Sequence, residues 1–314
     1  MYSDIDVTEK AMAMTDLRAH AIPRKRFFVE MFTRDISLKD CILDLIDNSI
    51  DGLVRAQDID LGESLLKIGS DDKVNGDKPE IKVNFSSRQL SVRDNCGGMS
   101  TEEAKNEMFN FGHSLEYYEM AKERSLGVYG VGLKRALFKI GRSFSVISKT
   151  TQTGFKVAED NLEEWIKKDK SLDDWSFDME ITEQARTQKT AGTRIVVKKI
   201  RNSVKHLLDD QSFEDELKKD VARVYTFFLN RFVRIKINDK YVDPIEVPIG
   251  ESEDVTPAIE RQEIDNVNVT IIASLAARDQ KGQWFADQAG WHIACNGRMV
   301  ATADRTSLTN KDRL

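Results

Sequence analysis

The chain has 314 residues and a mass of 35.8 kDa, enough for about two domains at roughly 150 residues each. With 40% hydrophobic residues, 32% charged residues, 17 glycines and only five prolines, it is neither low-complexity nor collagen-like, and its net charge of −6 excludes a wholly basic surface while leaving room for a local basic patch. Three cysteines (Cys41, Cys96, Cys295) and four scattered histidines exclude a disulfide framework and a zinc site by ligand spacing, and fit a reducing compartment.

Residues 1–36 are mixed and include the basic-aromatic segment AIPRKRFFVEMFTRD. The first ten residues are acidic and polar, unlike a secretory leader. Ser37 can cap a helix over 37–56, with Asp40 three residues on and apolar residues at 38, 42, 45, 46, 50 and 53. A loop rich in Gly, Asp and Lys follows over 57–79. IKVNF (81–85) and QLSVRD (89–94) flank Ser86-Ser87-Arg88 and read as a hairpin. Residues 101–126 are polar and partly helical in pattern. A glycine cluster then leads into a helical pattern over 131–140.

Strands are expected at 144–150 and 155–160, an irregular or helical excursion over 158–190, and a strand at 193–200. One or two helices over 203–230 precede strand-like segments at 231–237, 269–276 and 291–300. Val269–Ala277 is too short to approach the about 18 apolar residues that span a bilayer, so a soluble, cytoplasmic protein with no membrane partner is expected. The order predicts an α+β fold, a layered sandwich of helices on a mixed, mainly antiparallel sheet, rather than a regular βαβ alternation.

Four segments carry residues suited to chemistry. In ILDLIDNSIDG (42–52), Asp44 and Asn48 lie four apart on one helix face, and Asp47 and Asp51 form a second such pair. An amide oxygen is a hard ligand suited to Mg²⁺, and a carboxylate can hold or deprotonate a water; a solvated acidic face has the same pattern. In SVRDNCGGMS (91–100), Asp94 ends a strand before a Gly97-Gly98 turn that admits close backbone approach, as either a ligand contact or a plain turn. In GVYGVGLKRALFKIG (127–141), Gly127, Gly130 and Gly132 run into a helix whose N–H groups can receive an anion, with Lys134 in the first turn. The spacing matches neither a P-loop nor a Rossmann fingerprint. In AGTRIVV (191–197), Thr193 opens a strand behind a glycine, where its hydroxyl can floor a pocket or merely suit the strand.

In this order the four segments resemble the motifs of the GHKL superfamily, the Bergerat-fold ATPases that include gyrase B, the heat-shock chaperone, histidine kinases and MutL, over residues 30–200. GVYGVGLK is most similar to MORC-type and related bacterial members. The resemblance implies ATP and Mg²⁺ as ligands. Asp44 would polarise the attacking water, with Lys134 beside the triphosphate as the second catalytic residue, and Asn48 would bind Mg²⁺. Asp94 would read the adenine amino group, supported by Thr193, with Gly98 and Met99 close to the base. Asp51, Phe111 and Gly112 would lie near the nucleotide. The run Gly127, Val128, Tyr129, Gly130, Val131, Gly132, Leu133 and Lys134 would wrap the phosphates. Residues 100–126 would form a mobile lid, including His113 and Ser114. Two residues depart from the pattern: Asp44 stands where hydrolysing relatives have Glu, roughly 1 Å or more shorter in reach, and Cys96 replaces a glycine.

WHIACNGRMVATADRT (291–306) resembles the transducer domain that follows the ATPase in gyrase B, MutL and MORC proteins. The expected domains are therefore an N-terminal arm (1–36), a GHKL domain (37–205) and a truncated transducer-like domain (206–314, the ribosomal S5 domain 2-like α+β type). Arg298, Arg305 and Lys311 are candidates for the basic switch residue of such domains. The resemblance further implies nucleotide-driven lid closure and a homodimer, and by analogy of fold alone a DNA-linked, phage-defence or chaperone setting with DNA or a protein as partner. Arg24-Lys25-Arg26 and Lys198-Lys199-Ile200-Arg201 can contact phosphates or be ordinary solvated cations. The alternatives are a nucleotide-binding switch with negligible turnover and a histidine kinase catalytic domain; for the latter only His20 is available upstream.

Overall fold

In the computed structural model, residues 23–61, 78–112, 125–127, 130–169, 172–245, 249–250, 256–265, 267–276, 282–283 and 288–306 are described. Helix α1 (Lys25–Arg34) is followed after a short link by α2 (Leu38–Gln57). The Ser37 hydroxyl accepts the Asp40 N–H at 3.1 Å, and the helix ends at Asp58 in the left-handed region (φ 47). Ile42, Leu45, Ile46, Ile50 and Leu53 of α2 are fully buried, as the spacing predicts, each contributing about 1.5–3 kcal/mol.

Strands β1 (Glu80–Phe85) and β2 (Gln89–Asp94) form the expected hairpin. A capped turn of helix (Thr101–Glu103) runs into a π-turn (Ala104–Met108). Helix α3 (Gly132–Ile140) leads directly into β3 (Gly141–Lys149), which pairs with β4 (Gly154–Glu159). The excursion over 158–190 resolves into α4 (Leu162–Lys167), a 3-10 turn (Leu172–Trp175) and β5 (Met179–Ile181). Strand β6 (Gly192–Ile200) pairs with both β2 and β3. Helices α5 (Gln211–Val224) and α6 (Thr226–Arg231) precede β7 (Arg234–Ile237) and β8 (Lys240–Tyr241).

These strands make one eight-stranded sheet in the order β5-β4-β3-β6-β2-β1-β7-β8. Every pair in it is antiparallel except β1 with β7, which run parallel. This is the α+β arrangement expected, with helices layered on a mixed, mainly antiparallel sheet. The sheet does not end at the boundary expected after residue 205: β7 and β8 extend the same sheet, and the Tyr225 hydroxyl reaches back to α2. Beyond residue 245 the described strands are paired two by two: β9 (Ile249–Gly250) with β12 (Leu275–Ala276), β10 (Ala258–Ile264) with β11 (Val267–Ala273), and β13 (Trp291–Cys295) with β14 (Arg298–Asp304).

The described part of the N-terminal arm is α1, which contacts α3 and α4. Lys25 is fully buried, so the reading of residues 24–26 as three solvated cations fails at this position. Its ammonium donates to the Trp165 carbonyl at 2.9 Å and to the Asp174 carbonyl, and lies 3.7 Å from the Trp165 ring centre. Burial pulls its pKa down, partly offset by Asp174 and Asp169. A cation is tolerated there because two carbonyls and an aromatic face replace its water.

Candidate functional site

The structure brings together the middle of α2 (residues 44–51), the end of β2, the start of β6 and the start of α3. On α2, the Asn48 Nδ2 donates to the Asp44 carbonyl at 2.7 Å, leaving the Asn48 amide oxygen directed away from that bond. The Asp44 Oδ2 is buried and has no hydrogen-bond partner among the described residues. A Cβ added at Gly132 would lie 3.0–3.2 Å from the Asp44 Cβ, Cγ and Oδ2. The start of α3 therefore approaches this carboxylate closely because residue 132 has no side chain. Burial pushes the Asp44 pKa up, while Arg135 and Arg298 pull it down.

Asp94 ends β2 in a network of donors. Its Oδ1 accepts the Cys96 N–H at 2.9 Å and the Thr193 N–H at 3.1 Å, and its Oδ2 accepts the Ser49 hydroxyl at 2.9 Å. Burial pushes its pKa up and these three donors pull it back. A carboxylate has about four acceptor positions, so Oδ2 retains one for a ligand donor. The Thr193 hydroxyl shares a hydrogen bond with Ser148 at 2.9 Å, and Ser148 accepts the Met99 N–H at 2.8 Å. Strands β2, β3 and β6 are thus cross-tied beneath the loop that carries Gly98. Gly98 has φ +73, and a Cβ there would meet the Lys149 carbonyl oxygen at 2.3 Å. Cys96 is buried, and burial drives its thiol pKa well up, as expected of a packed small residue rather than a reactive one.

The glycine segment is anchored by Asp51. This buried carboxylate accepts the Ser125 hydroxyl at 2.7 Å, the Leu126 N–H at 2.7 Å and the Gly127 N–H at 3.1 Å. Gly130 has φ +59 and donates to the Gly127 carbonyl, and Val131 precedes the first residue of α3. Leu133 is buried beneath that first turn. Val128, Tyr129, His113 and Ser114 lie outside the described residues.

Lys134 takes a position that its spacing does not suggest. Its ammonium is buried and donates to the Met108 carbonyl at 3.0 Å and the Asn110 carbonyl at 2.5 Å, both at the start of the expected lid. It lies 5.7 Å from the Phe111 ring centre, and burial brings its pKa down to about 8. Phe111 packs edge-on against Phe28 of α1, with ring centres 4.2 Å apart, and Gly112 follows with φ +89. Lys134→Met keeps the chain length and removes both donors, so amide exchange over 104–112 should accelerate at least tenfold, roughly the loss of one to two net hydrogen bonds. Unchanged exchange there would show that the ammonium does not hold this segment.

Two contacts join the β13–β14 turn to this region. The Arg298 Nε donates to both Asp47 oxygens at 3.1 Å, and the Tyr225 hydroxyl donates to the Asp47 Oδ1 at 2.6 Å. The Asn296 Nδ2 donates to the Ser125 carbonyl at 3.0 Å. One turn thus touches both α2 and the segment clamped by Asp51. Arg298, a candidate switch residue, is committed here to Asp47, whereas the Arg305 Nε donates to the Ala289 carbonyl and Lys311 lies outside the described residues.

Burial pushes the Asp47 pKa up to about 6, against the pull of Arg298 and Tyr225. Since this exceeds the ordinary value of 3.8, the native state binds the proton more tightly than the unfolded chain. The stability from this group is present at low pH and is lost as pH rises through about 6. Wild type should therefore lose stability relative to Asp47→Asn between about pH 4 and pH 6.5 in urea unfolding. At neutral pH, Asp47→Asn and Arg298→Met should be non-additive, with a coupling of about 1–2 kcal/mol. A pH-independent difference together with strict additivity would refute the pairing.

Ser49, Ser148 and Tyr225 escape a motif-by-motif reading. Ser49 nevertheless falls among the buried positions of α2, and Ser148 two residues after Val146 on the inward face of β3; a polar residue in either stripe is a detectable signal.

A helical layer lies over this sheet, with the glycine-opened helix α3 against Asp44 of α2 and a half-buried, hydrogen-bonded carboxylate, Asp94, at the end of β2; the arrangement is of the α+β class. Residues 36–193, half of the chain, match the family described as histidine kinase-, DNA gyrase B-, and HSP90-like ATPase, and the chain belongs to that family. It is thus a GHKL-superfamily member with an ATP-binding type of domain. No individual curated protein matches the chain. Among the described residues no helix is long and apolar enough to cross a membrane.

Proposed function

We propose that the chain binds ATP between α2, the end of β2 and the start of α3, and hydrolyses it slowly to ADP and phosphate. The observation that carries this reading is the buried, unpartnered Asp44 Oδ2 facing the glycine start of α3. An orphaned carboxylate oxygen is costly unless a ligand or a water completes it. The remaining acceptor position of Asp94 would take the adenine amino group, with Thr193 holding Asp94 in place and Gly98 and Met99 beside the base. The N–H groups of Gly132, Leu133 and Lys134 in the first turn of α3 would receive phosphate oxygens.

Mg²⁺ fits this donor set. Among the described residues no three metal-ligating side chains cluster, and Mg²⁺ is commonly held by one or two protein oxygens together with substrate phosphates. Asn48 would supply its amide oxygen. When bound, the ion neutralises charge on the phosphate oxygens. Asp44 would accept the proton of a water as its oxygen bonds to the γ-phosphorus and the bond to the ADP oxygen breaks. Positioning and electrostatics would supply most of the rate.

Nucleotide would order residues 100–126 as a lid and favour a homodimer, and residues beyond 205 would act as a transducer. A DNA-linked or phage-defence role is retained by analogy of fold. The test is calorimetry with ATP and Mg²⁺, together with light scattering with a non-hydrolysable analogue. Binding near one equivalent and a doubled mass are expected; absence of binding removes the reading, and an unchanged monomer removes the dimer. A second reading, a nucleotide switch with negligible turnover, is favoured by the short reach of Asp44 and by the engagement of Lys134 with carbonyls.

A further inference from the structure

At the end of α3 away from its glycine start, α1, α4 and the residues after β6 line a solvent-open cleft of about 770 Å³. It is lined by five cations, Arg26, Arg34, Lys139, Lys167 and Arg201, against the two carboxylates of Glu30 and Glu163. Both carboxylates are already matched: Glu30 pairs with Arg26 at 2.9 Å and Glu163 with Arg201 at 3.0 Å. Lys139 donates to the neutral Thr33 carbonyl at 2.8 Å, which leaves its charge uncompensated. Arg34 has no ion pair among the described residues. Lys167 pairs with Glu164, which does not line the cleft.

A positive concavity on a chain of net charge −6 is set against the sign of the molecule as a whole. Its apolar walls, Val29, Phe138 and Ile166, lower the local dielectric and strengthen the field inside. Arginine forks match phosphate oxygens in pairs. The volume lies in the range of small-molecule sites, about 300–1,000 Å³, and suits a nucleotide-sized occupant rather than a rigid duplex. None of the candidate ATP residues lines the cleft.

We propose that this cleft is a second anion site that takes a small phosphorylated molecule, independent of the ATP site. The probe is inorganic tripolyphosphate, and the readout is lysine acetylation of the full chain followed residue by residue by mass spectrometry. Tripolyphosphate should slow acetylation of Lys139 and Lys167 at least fivefold relative to sodium chloride of equal ionic strength, with Lys82 and Lys156 unchanged. Arg26→Gln with Arg34→Gln, both on the exposed face of α1, should abolish the protection, and Asp94→Asn should leave it intact. Equal protection by sodium chloride, protection that survives the double substitution, or protection by duplex DNA but not by tripolyphosphate would each overturn the proposal.

Discussion

Asp94→Asn is expected to weaken ATP binding about 100-fold, near 2.7 kcal/mol, while leaving the fold nearly intact. The reason lies in how the donors are shared between the two oxygens. Oδ1 serves two backbone N–H groups and Oδ2 serves one hydroxyl. An asparagine can keep its oxygen at the Oδ1 position and turn its amide nitrogen toward Ser49, whose hydroxyl can accept as readily as it donates. Folding then loses little. An incoming amino group meets a donor where it needs an acceptor, and a buried donor facing a donor costs about 1–3 kcal/mol beyond the lost bond. Calorimetry checks the affinity and thermal unfolding checks the fold. Retained ATP affinity in a folded variant would remove Asp94 from base recognition.

Asp44→Asn should separate binding from chemistry. The substitution is isosteric, so the approach of Gly132 is preserved, and the affinity for ATP should change less than about threefold, under 1 kcal/mol. Turnover should fall at least 100-fold, within the roughly 10²–10⁴ attributed to positioned proton acceptors. Because burial raises the Asp44 pKa, the acid limb of the turnover profile should lie above the ordinary carboxylate range and disappear in the variant. Phosphate release measured across pH on both proteins reads this directly. Equal turnover in the two proteins would assign hydrolysis elsewhere, and no turnover in either would favour the switch.

Much of the fold is legible in the sequence because it is local. The Ser37 cap and the apolar stripe of α2, the hairpin around residues 86–88 and the glycine entry into α3 all follow from neighbours a few residues apart. The parallel pairing of β7 beside β1 is not, because periodicity marks a strand without naming its partner. The same limit applies to side chains. Asp44 and Asn48 can be read from helical spacing. Asp47, however, owes its setting to Tyr225 and Arg298, 178 and 251 residues away. Lys134 suggests a phosphate contact by position, yet a lysine stem long enough to reach a ligand also reaches two carbonyls of another segment. Lys25 shows the reverse error of composition: a basic triplet reads as surface, but its middle member lies inside.

The parallel pairing has a bearing on how the molecule is made. Every candidate ATP residue has been synthesised by residue 193, but β1 keeps a naked edge until Arg234–Ile237 arrives to cover it. A polypeptide ended at Ile200 would hold all the motifs and still present an open row of amide and carbonyl groups to its neighbours, an invitation to intermolecular strand pairing. The sheet on which these residues sit is therefore completed by a segment beyond the stretch that carries the motifs.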